Sequence, residues 1–73
     1  MAIASVSTIT SASQESWQNA AELGLARARQ TLRGITGIKI LEKKARVEDG
    51  TIVEYLVTMQ VIFLLEEAPG TGS

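Results

Sequence analysis

The sequence predicts an α+β domain of element order β-α-β-β, with a three-stranded antiparallel sheet of order 1-3-2 wrapped on one long helix. One helical stripe of apolar and small residues follows a short β-rich start. The last third alternates apolar residues at every second position, and Asp49-Gly50 separates it from another β-rich segment. A chain of 73 residues accommodates a single domain. We place it at residues 1–67, with residues 68–73 as a flexible tail.

The first strand is predicted over residues 2–9, and the helix over residues 14–33. Ser13 is the expected N-cap, since its hydroxyl can accept a hydrogen bond from a free backbone N–H of the first turn. Glu15 would then lie in the first turn, where a negative charge suits the helix dipole. Gly34 is the expected C-terminal cap. The stripe comprises Trp17, Ala20, Ala21, Gly24, Leu25, Ala28, Leu32 and Ile35. Its small central residues predict close packing on the sheet, anchored by Trp17 and Leu32.

The last two strands, residues 36–47 and 51–66, are predicted to form a hairpin. Asp49-Gly50 favours a type I′ turn, which requires positive φ at both central positions. Successive strand side chains alternate between the two faces of a sheet. The odd positions of the last strand are all apolar and predict the face under the helix: Val53, Tyr55, Val57, Met59, Val61, Phe63 and Leu65.

Composition argues against several functional classes. The chain has no Cys and no His, so it lacks disulfides, thiolate metal sites and the commonest general base, and we predict that it is not an enzyme. A net charge of −1 does not favour nucleic-acid binding. No apolar run reaches the roughly 18 residues of a membrane helix. Because residues 1–10 lack the pattern of a secretory signal, we expect a cytoplasmic protein.

The predicted elements differ in length. At about 3.3 Å per residue the last strand would extend roughly 50 Å, whereas the predicted helix would reach only about 30 Å. The opposite strand face carries Leu56, Ile62 and Leu64, with no second helix to cover them. We therefore predict a homo-oligomer in which these three residues form the interface. The alternative is a monomer whose sheet curls around the helix and leaves them exposed.

Two segments resemble the dodecins, a family of small β-α-β-β proteins: SASQESWQNAAELGLARARQTLRGI and VEDGTIVEYLVTMQVIFLLEE. The specific similarities are Ser13–Trp17, Ala26–Leu32, Glu54-Tyr55, Gln60-Val61 and Phe63, within a resemblance over roughly residues 3–67. The resemblance implies a hollow homododecamer of cubic symmetry with its helices outside. It also implies flavins, such as riboflavin or FMN, held in pairs at two-fold interfaces and sequestered without a reaction.

Family position assigns ligand contacts to Thr36, Gly37, Lys44 and Leu56. The family's flavin-stacking tryptophan falls on Gly37, and its hydrogen-bonding glutamine falls on Leu56. Lys44 matches one basic residue that holds flavin phosphates in some members, while Leu64 replaces another. Stacking is worth about 1–3 kcal/mol. Its loss alone predicts a flavin affinity weakened by roughly ten- to a hundredfold. The alternative function is a flavin-free structural shell that holds ions or another metabolite.

Two charged sets and one aromatic residue have competing interpretations. Tyr55 could form a ligand platform, but its apolar strand face favours core packing. Carboxylates of several copies could bind Ca²⁺ or Mg²⁺ at a symmetry axis, although most such groups are merely solvated. A basic run could bind phosphate, although it more often forms an exposed strand face or intersubunit ion pairs. The carboxylates are Glu42, Glu48, Asp49, Glu54, Glu66 and Glu67; the basic residues are Lys39, Lys43, Lys44 and Arg46.

Overall fold

The computed structural model describes residues 3–65 and confirms the predicted topology. Its elements are β1 (Ile3–Ser13), α1 (Trp17–Ala28), β2 (Ile35–Glu48) and β3 (Thr51–Leu65). The sheet has the order β1-β3-β2, and β3 pairs antiparallel with both neighbours. Within residues 3–65 no helix is long and apolar enough to cross a membrane. The predicted tail, residues 68–73, lies outside the described residues, as do residues 66–67 of the predicted domain.

The helix begins later than predicted, and Ser13 is not its cap. Ser16 is the N-cap: it has extended φ and ψ, and its hydroxyl accepts from the backbone N–H of Asn19 at 2.9 Å. Ser13 is instead the last residue of β1, where its hydroxyl donates to Asn19 Oδ1 at 2.6 Å and accepts from the Glu15 N–H at 2.9 Å. Glu15 therefore precedes the helix, and the first turn holds no acidic residue.

The helix also ends earlier than predicted: the single helix of the predicted fold is confirmed, but its predicted bounds, residues 14–33, were wrong. It has 12 residues, and Arg29 is the C-cap. The chain then turns, with the Leu32 N–H bonded to the Ala28 carbonyl at 2.8 Å. Gly34 lies beyond this turn, with φ +72°, and its carbonyl accepts from the Leu64 N–H at 3.0 Å. A Cβ there would lie 3.0 Å from the Leu64 carbonyl oxygen, so glycine permits this close backbone approach.

The first strand is longer than the predicted 2–9, because it pairs with β3 from Ile3 opposite Leu65 to Ser13 opposite Tyr55. The small polar residues of its second half, which sequence composition alone would place in a turn, form specific contacts. The hydroxyls of Thr10 and Thr58 share a hydrogen bond of 2.9 Å across the strands. The Ser11 hydroxyl donates to the Ala20 carbonyl of the helix. Pairing with β3 and contact with α1 therefore override the turn-like composition of this segment.

The β2–β3 hairpin closes through the predicted turn, with φ of 52° at Asp49 and 75° at Gly50. Three irregularities interrupt its register, each leaving one residue unpaired. The unpaired residues are Thr36 and Leu41 on β2 and Val53 on β3. Such bulges increase local twist and can redirect the neighbouring side chains.

The core lies between α1 and the predicted odd-numbered face of β3. Val57, Met59 and Val61 are buried there, and Ala20 is fully buried on the helix. Trp17 packs partly buried against this cluster, as predicted for one end of the helix. The other predicted anchor, Leu32, is half-buried but lies beyond the end of the helix. The core is small, because only three large side chains of the described residues are fully buried.

Gly24 marks the closest contact between helix and sheet. A Cβ at this position would lie 2.6 Å from Met59 Cε and 2.8 Å from Ser11 Oγ. We expect Gly24→Ala to lower the free energy of unfolding by about 1–2 kcal/mol. Overpacking costs about 1–3 kcal/mol, and the higher helix propensity of alanine offsets part of it. Urea unfolding at fixed protomer concentration measures the change.

Glu22→Ala is the matched control, because it also places alanine on the helix but at an exposed position. We expect its stability to stay within about 0.5 kcal/mol of the parent protein. A Gly24→Ala protein more stable than the parent would contradict the close helix–sheet packing.

Candidate functional site

The sheet surface opposite the helix carries the residues that family position assigns to ligand contacts. We define this outer face by the even-numbered residues of β3 from Leu56 to Leu64 and their cross-strand partners. It has an apolar end around Ile62 and Leu64 and a polar middle around Thr58 and Gln60. Leu56 and Ile62 are half-buried, and Leu64 retains 40% of its exposure. Within residues 3–65 no helix covers this face.

Gly37 leaves an open space on the outer face. It pairs with Ile62, and an ideal Cβ at Gly37 would have only one neighbour within 4 Å, Ile62 Cδ1 at 3.9 Å. Its φ lies outside the left-handed region, so the backbone itself does not require glycine. Thr36 is the unpaired residue beside it, and its hydroxyl donates to the Ile62 carbonyl at 3.5 Å. A larger side chain at position 37 would therefore fit the protomer.

The structure separates the predicted ligand residues into two groups. Lys44 and Leu56 are cross-strand partners. Leu56 lies six positions from Ile62 along β3, or about 20 Å at the usual strand rise. Thr36 and Gly37 thus occupy the start of β2, while Lys44 and Leu56 lie far along the hairpin. A ligand the size of one ring system cannot contact both groups within a single protomer.

Trp17 fixes the backbone at Lys44, a contact that the sequence analysis missed. The indole Nε1–H donates to the Lys44 carbonyl at 2.9 Å. Its ring meets Tyr55 edge-to-face, with centroids 4.9 Å apart and an interplanar angle of 76°. Tyr55 therefore packs on the inner face, as predicted, and the start of the helix is tied to both hairpin strands. Periodicity identified Trp17 as apolar but could not reveal the partner of its N–H.

A polar row crosses the outer face beside Gly37. Gln60 lies opposite Thr8 on one side and Lys39 on the other. Because Gln60 is two positions from Ile62 on the same strand, it is a diagonal neighbour of Gly37. The sequence alone assigned Gln60 no place beside Gly37, so this proximity was missed. Counting the register back from the turn would have found it.

The charged side chains of the hairpin form exposed ion pairs within the protomer. Lys44 Nζ lies 3.7 Å from Glu42 Oε1, and Arg46 Nε lies 3.2 Å from Glu54 Oε1. Arg46 also contacts Glu48. Exposed pairs of this kind contribute little to stability. Among residues 3–65, no group of three acidic side chains is close enough to hold a metal ion within one chain.

Comparison with known proteins shows a consistent similarity. A family model described as Dodecin matches residues 3–66. A dodecin from Thermus thermophilus is 36% identical over 55 residues, which cover 75% of this chain and 80% of that protein. A crystal structure of a T. thermophilus dodecin mutant matches with TM-score 0.88 and 29% identity, over 93% of this chain and 100% of the other. Dodecin from Streptomyces davaonensis matches with TM-score 0.85 and 33% identity, over 90% and 97%.

The hydrogen bond from Trp17 to the hairpin can be tested by Trp17→Phe, which keeps an aromatic ring but removes the donor. We expect the free energy of unfolding to fall by about 0.5–1.5 kcal/mol, the usual net contribution of one such bond. Urea unfolding at fixed protomer concentration provides the measurement.

Tyr55→Phe serves as the control, because it keeps the edge-to-face contact and should stay close to the parent protein. Equal stability of Trp17→Phe and the parent would show that the indole N–H does not hold Lys44 in place.

Proposed function

Because the chain belongs to the dodecin family, we propose that it assembles into a hollow homododecamer and sequesters a small flat ligand between its subunits. Riboflavin and FMN are the proposed ligands, bound without a chemical reaction. The weak stacking surface at Gly37 leads us to expect a lower flavin affinity than in members that carry the family's tryptophan. Two features of the protomer support the proposal: an incompletely covered sheet and the separation of the ligand residues.

The incompletely covered sheet is the observation that carries the assembly. The 12-residue helix is about 18 Å long, whereas the 15 residues of β3 extend about 50 Å. Apolar side chains consequently remain exposed at both ends of the sheet, among them Leu64 at one end and Ile52 at the other. Exposed apolar surface of this extent is typical of interaction sites. Copies of the same chain would cover it, as a domain this small otherwise buries little surface.

The separation of the ligand residues supports a site shared between subunits. Thr36 and Gly37 are about 20 Å from Lys44 and Leu56 in one protomer, so a compact site containing all four needs two copies. A two-fold interface can supply the start of β2 from one copy and the distal hairpin from its partner. In such an arrangement the ligand would enter the space above Gly37.

A second candidate is a shell of the same architecture that holds no flavin. Gly37 and Leu56 favour it, because neither can stack on an isoalloxazine ring or hydrogen-bond to its polar edge. In this case the space above Gly37 accommodates a closely approaching subunit, or the shell holds an ion or another metabolite.

Native mass spectrometry and flavin titration test the two parts of the proposal separately. We expect an assembly of about twelve times the 7.8 kDa chain mass. We also expect riboflavin and FMN fluorescence to be quenched at micromolar to tens of micromolar protein. An assembly without quenching would favour the flavin-free shell. A monomer would refute the assembly and the shared site together.

The double variant Gly37→Trp with Leu56→Gln tests whether the site is present but lacks its stacking group. Because a Cβ at Gly37 meets only Ile62, the indole should be accommodated. We expect flavin affinity to rise by about ten- to a hundredfold from restored stacking. The measurement is the dissociation constant from fluorescence quenching.

Gly37→Leu with Leu56→Gln is the matched control, since leucine fills the same space without an aromatic face. Its flavin affinity should rise less than that of the Gly37→Trp variant, because it shares the glutamine hydrogen bond but has no aromatic face at position 37. An equal gain in flavin affinity in both variants would show that filled volume or the shared Leu56→Gln change, and not stacking at position 37, causes the effect. No gain in either variant would reject flavin as the ligand of this site.

A further inference from the structure

The tip of the β2–β3 hairpin is an apolar projection that stays exposed within residues 3–65. Val47 and Ile52 lie opposite each other next to the turn, and they retain 57% and 46% of their exposure. Cross-strand partners have Cβ atoms about 5 Å apart, so the two side chains form one small patch. Trp17, the first residue of the helix, contacts the hairpin at Lys44 and Tyr55, whereas Val47 and Ile52 lie three residues farther toward the turn.

A groove between α1 and β1 is the matching concave surface. It has a volume of about 370 Å³ and runs along the second half of the helix. Ile9 of β1 and Leu23 and Leu32 on the helix side supply its apolar lining, and Arg27 lies at its edge. Leu23 retains 51% of its exposure, so the described part of the chain does not close the groove. It can therefore accept two aliphatic side chains from outside.

We infer that the hairpin tip of one protomer docks into the α1–β1 groove of a second copy, an inference that rests on the proposed assembly. The two surfaces cannot meet within one chain. Ile9 pairs with Met59, which is seven residues from Ile52 along β3, or about 23 Å. Tip and groove are thus distinct surfaces near opposite ends of the helix. A contact between two different surfaces is heterologous, and it closes into a ring when the rotation between copies permits.

Charge complementarity supports this occupant. Residues 46–54 of the hairpin contain three acidic residues and one arginine, so the tip is negative. Arg27 and Arg29 make the end of the helix positive, and Arg27 borders the groove. Opposite potentials favour this head-to-tail orientation and disfavour contact between two tips, where like charges would meet.

Disulfide trapping tests the contact directly, because the chain has no cysteine of its own. The double variant Leu23→Cys with Ile52→Cys places one thiol in the groove and one at the tip. After mild oxidation we expect a covalent ladder of two or more chains on non-reducing electrophoresis. Each single-cysteine variant should remain without cross-links, because a heterologous contact does not bring identical residues together.

Leu41→Cys with Leu23→Cys is the matched control, since Leu41 is a similarly exposed residue of β2 away from the tip. It should give no ladder. Absence of a ladder in the test variant while native mass still shows an assembly would overturn the tip-to-groove contact and leave the proposed function standing. A monomeric native mass in the cysteine-free protein would overturn both.

Charge exchange provides an independent readout that needs no thiol. Arg27→Glu should weaken the assembly, seen as at least a tenfold rise in the protomer concentration at which it dissociates. Adding Glu48→Lys to Arg27→Glu should reverse at least half of the change in the logarithm of that dissociation concentration. Arg29→Glu makes the same charge change on the same helix end outside the groove, and should have less effect. Equal losses for Arg27→Glu and Arg29→Glu, with no rescue, would overturn the contact.

Discussion

The difference in length between the helix and the central strand is the constraint on which the rest of the structure depends. The strand β3 is paired on both sides and needs a cover along about 50 Å, while α1 provides about 18 Å. The helix covers the middle of the strand, where Val57, Met59 and Val61 are buried. Both ends of the sheet and its outer face consequently have no helical cover within residues 3–65. The proposed assembly and the proposed ligand site both use these uncovered surfaces.

Much of the hairpin could be predicted from its turn. A two-residue turn at Asp49-Gly50 pairs Glu48 with Thr51, and extending that register places Gly37 opposite Ile62, as the structure does. The agreement arises because the bulge at Val53 on β3 and the bulge at Leu41 on β2 shift the register in opposite directions and cancel. Between the two bulges the simple count fails: it pairs Lys44 with Tyr55, whereas Lys44 lies opposite Leu56. A one-residue shift changes the face of a side chain, so the distal half of the ligand set could not be placed from sequence.

The helix boundaries were less predictable, since two local signals competed at each end. Ser13 and Ser16 are both good N-caps, and only the pairing of Ser13 with Tyr55 in the sheet decides between them. At the other end the apolar stripe continues through Leu32, which is still half-buried although it lies in the turn after α1. Periodicity reports which side chains are apolar, but not whether the backbone that carries them remains helical.

Gly37 differs from the turn glycines because the backbone of the protomer does not require a glycine at this position. Glycine is required at Gly34 and Gly50 by positive φ, but no such requirement exists at Gly37. Its missing side chain is therefore a property of the surface above the sheet rather than of the backbone within it. That surface has an apolar floor at Ile62 and a polar neighbour at Gln60, both belonging to β3. Within residues 3–65, Ile62 is the one residue that comes within 4 Å of a Cβ at Gly37, so the space is not filled by this part of the chain and is open to the proposed flat ligand or to a neighbouring subunit.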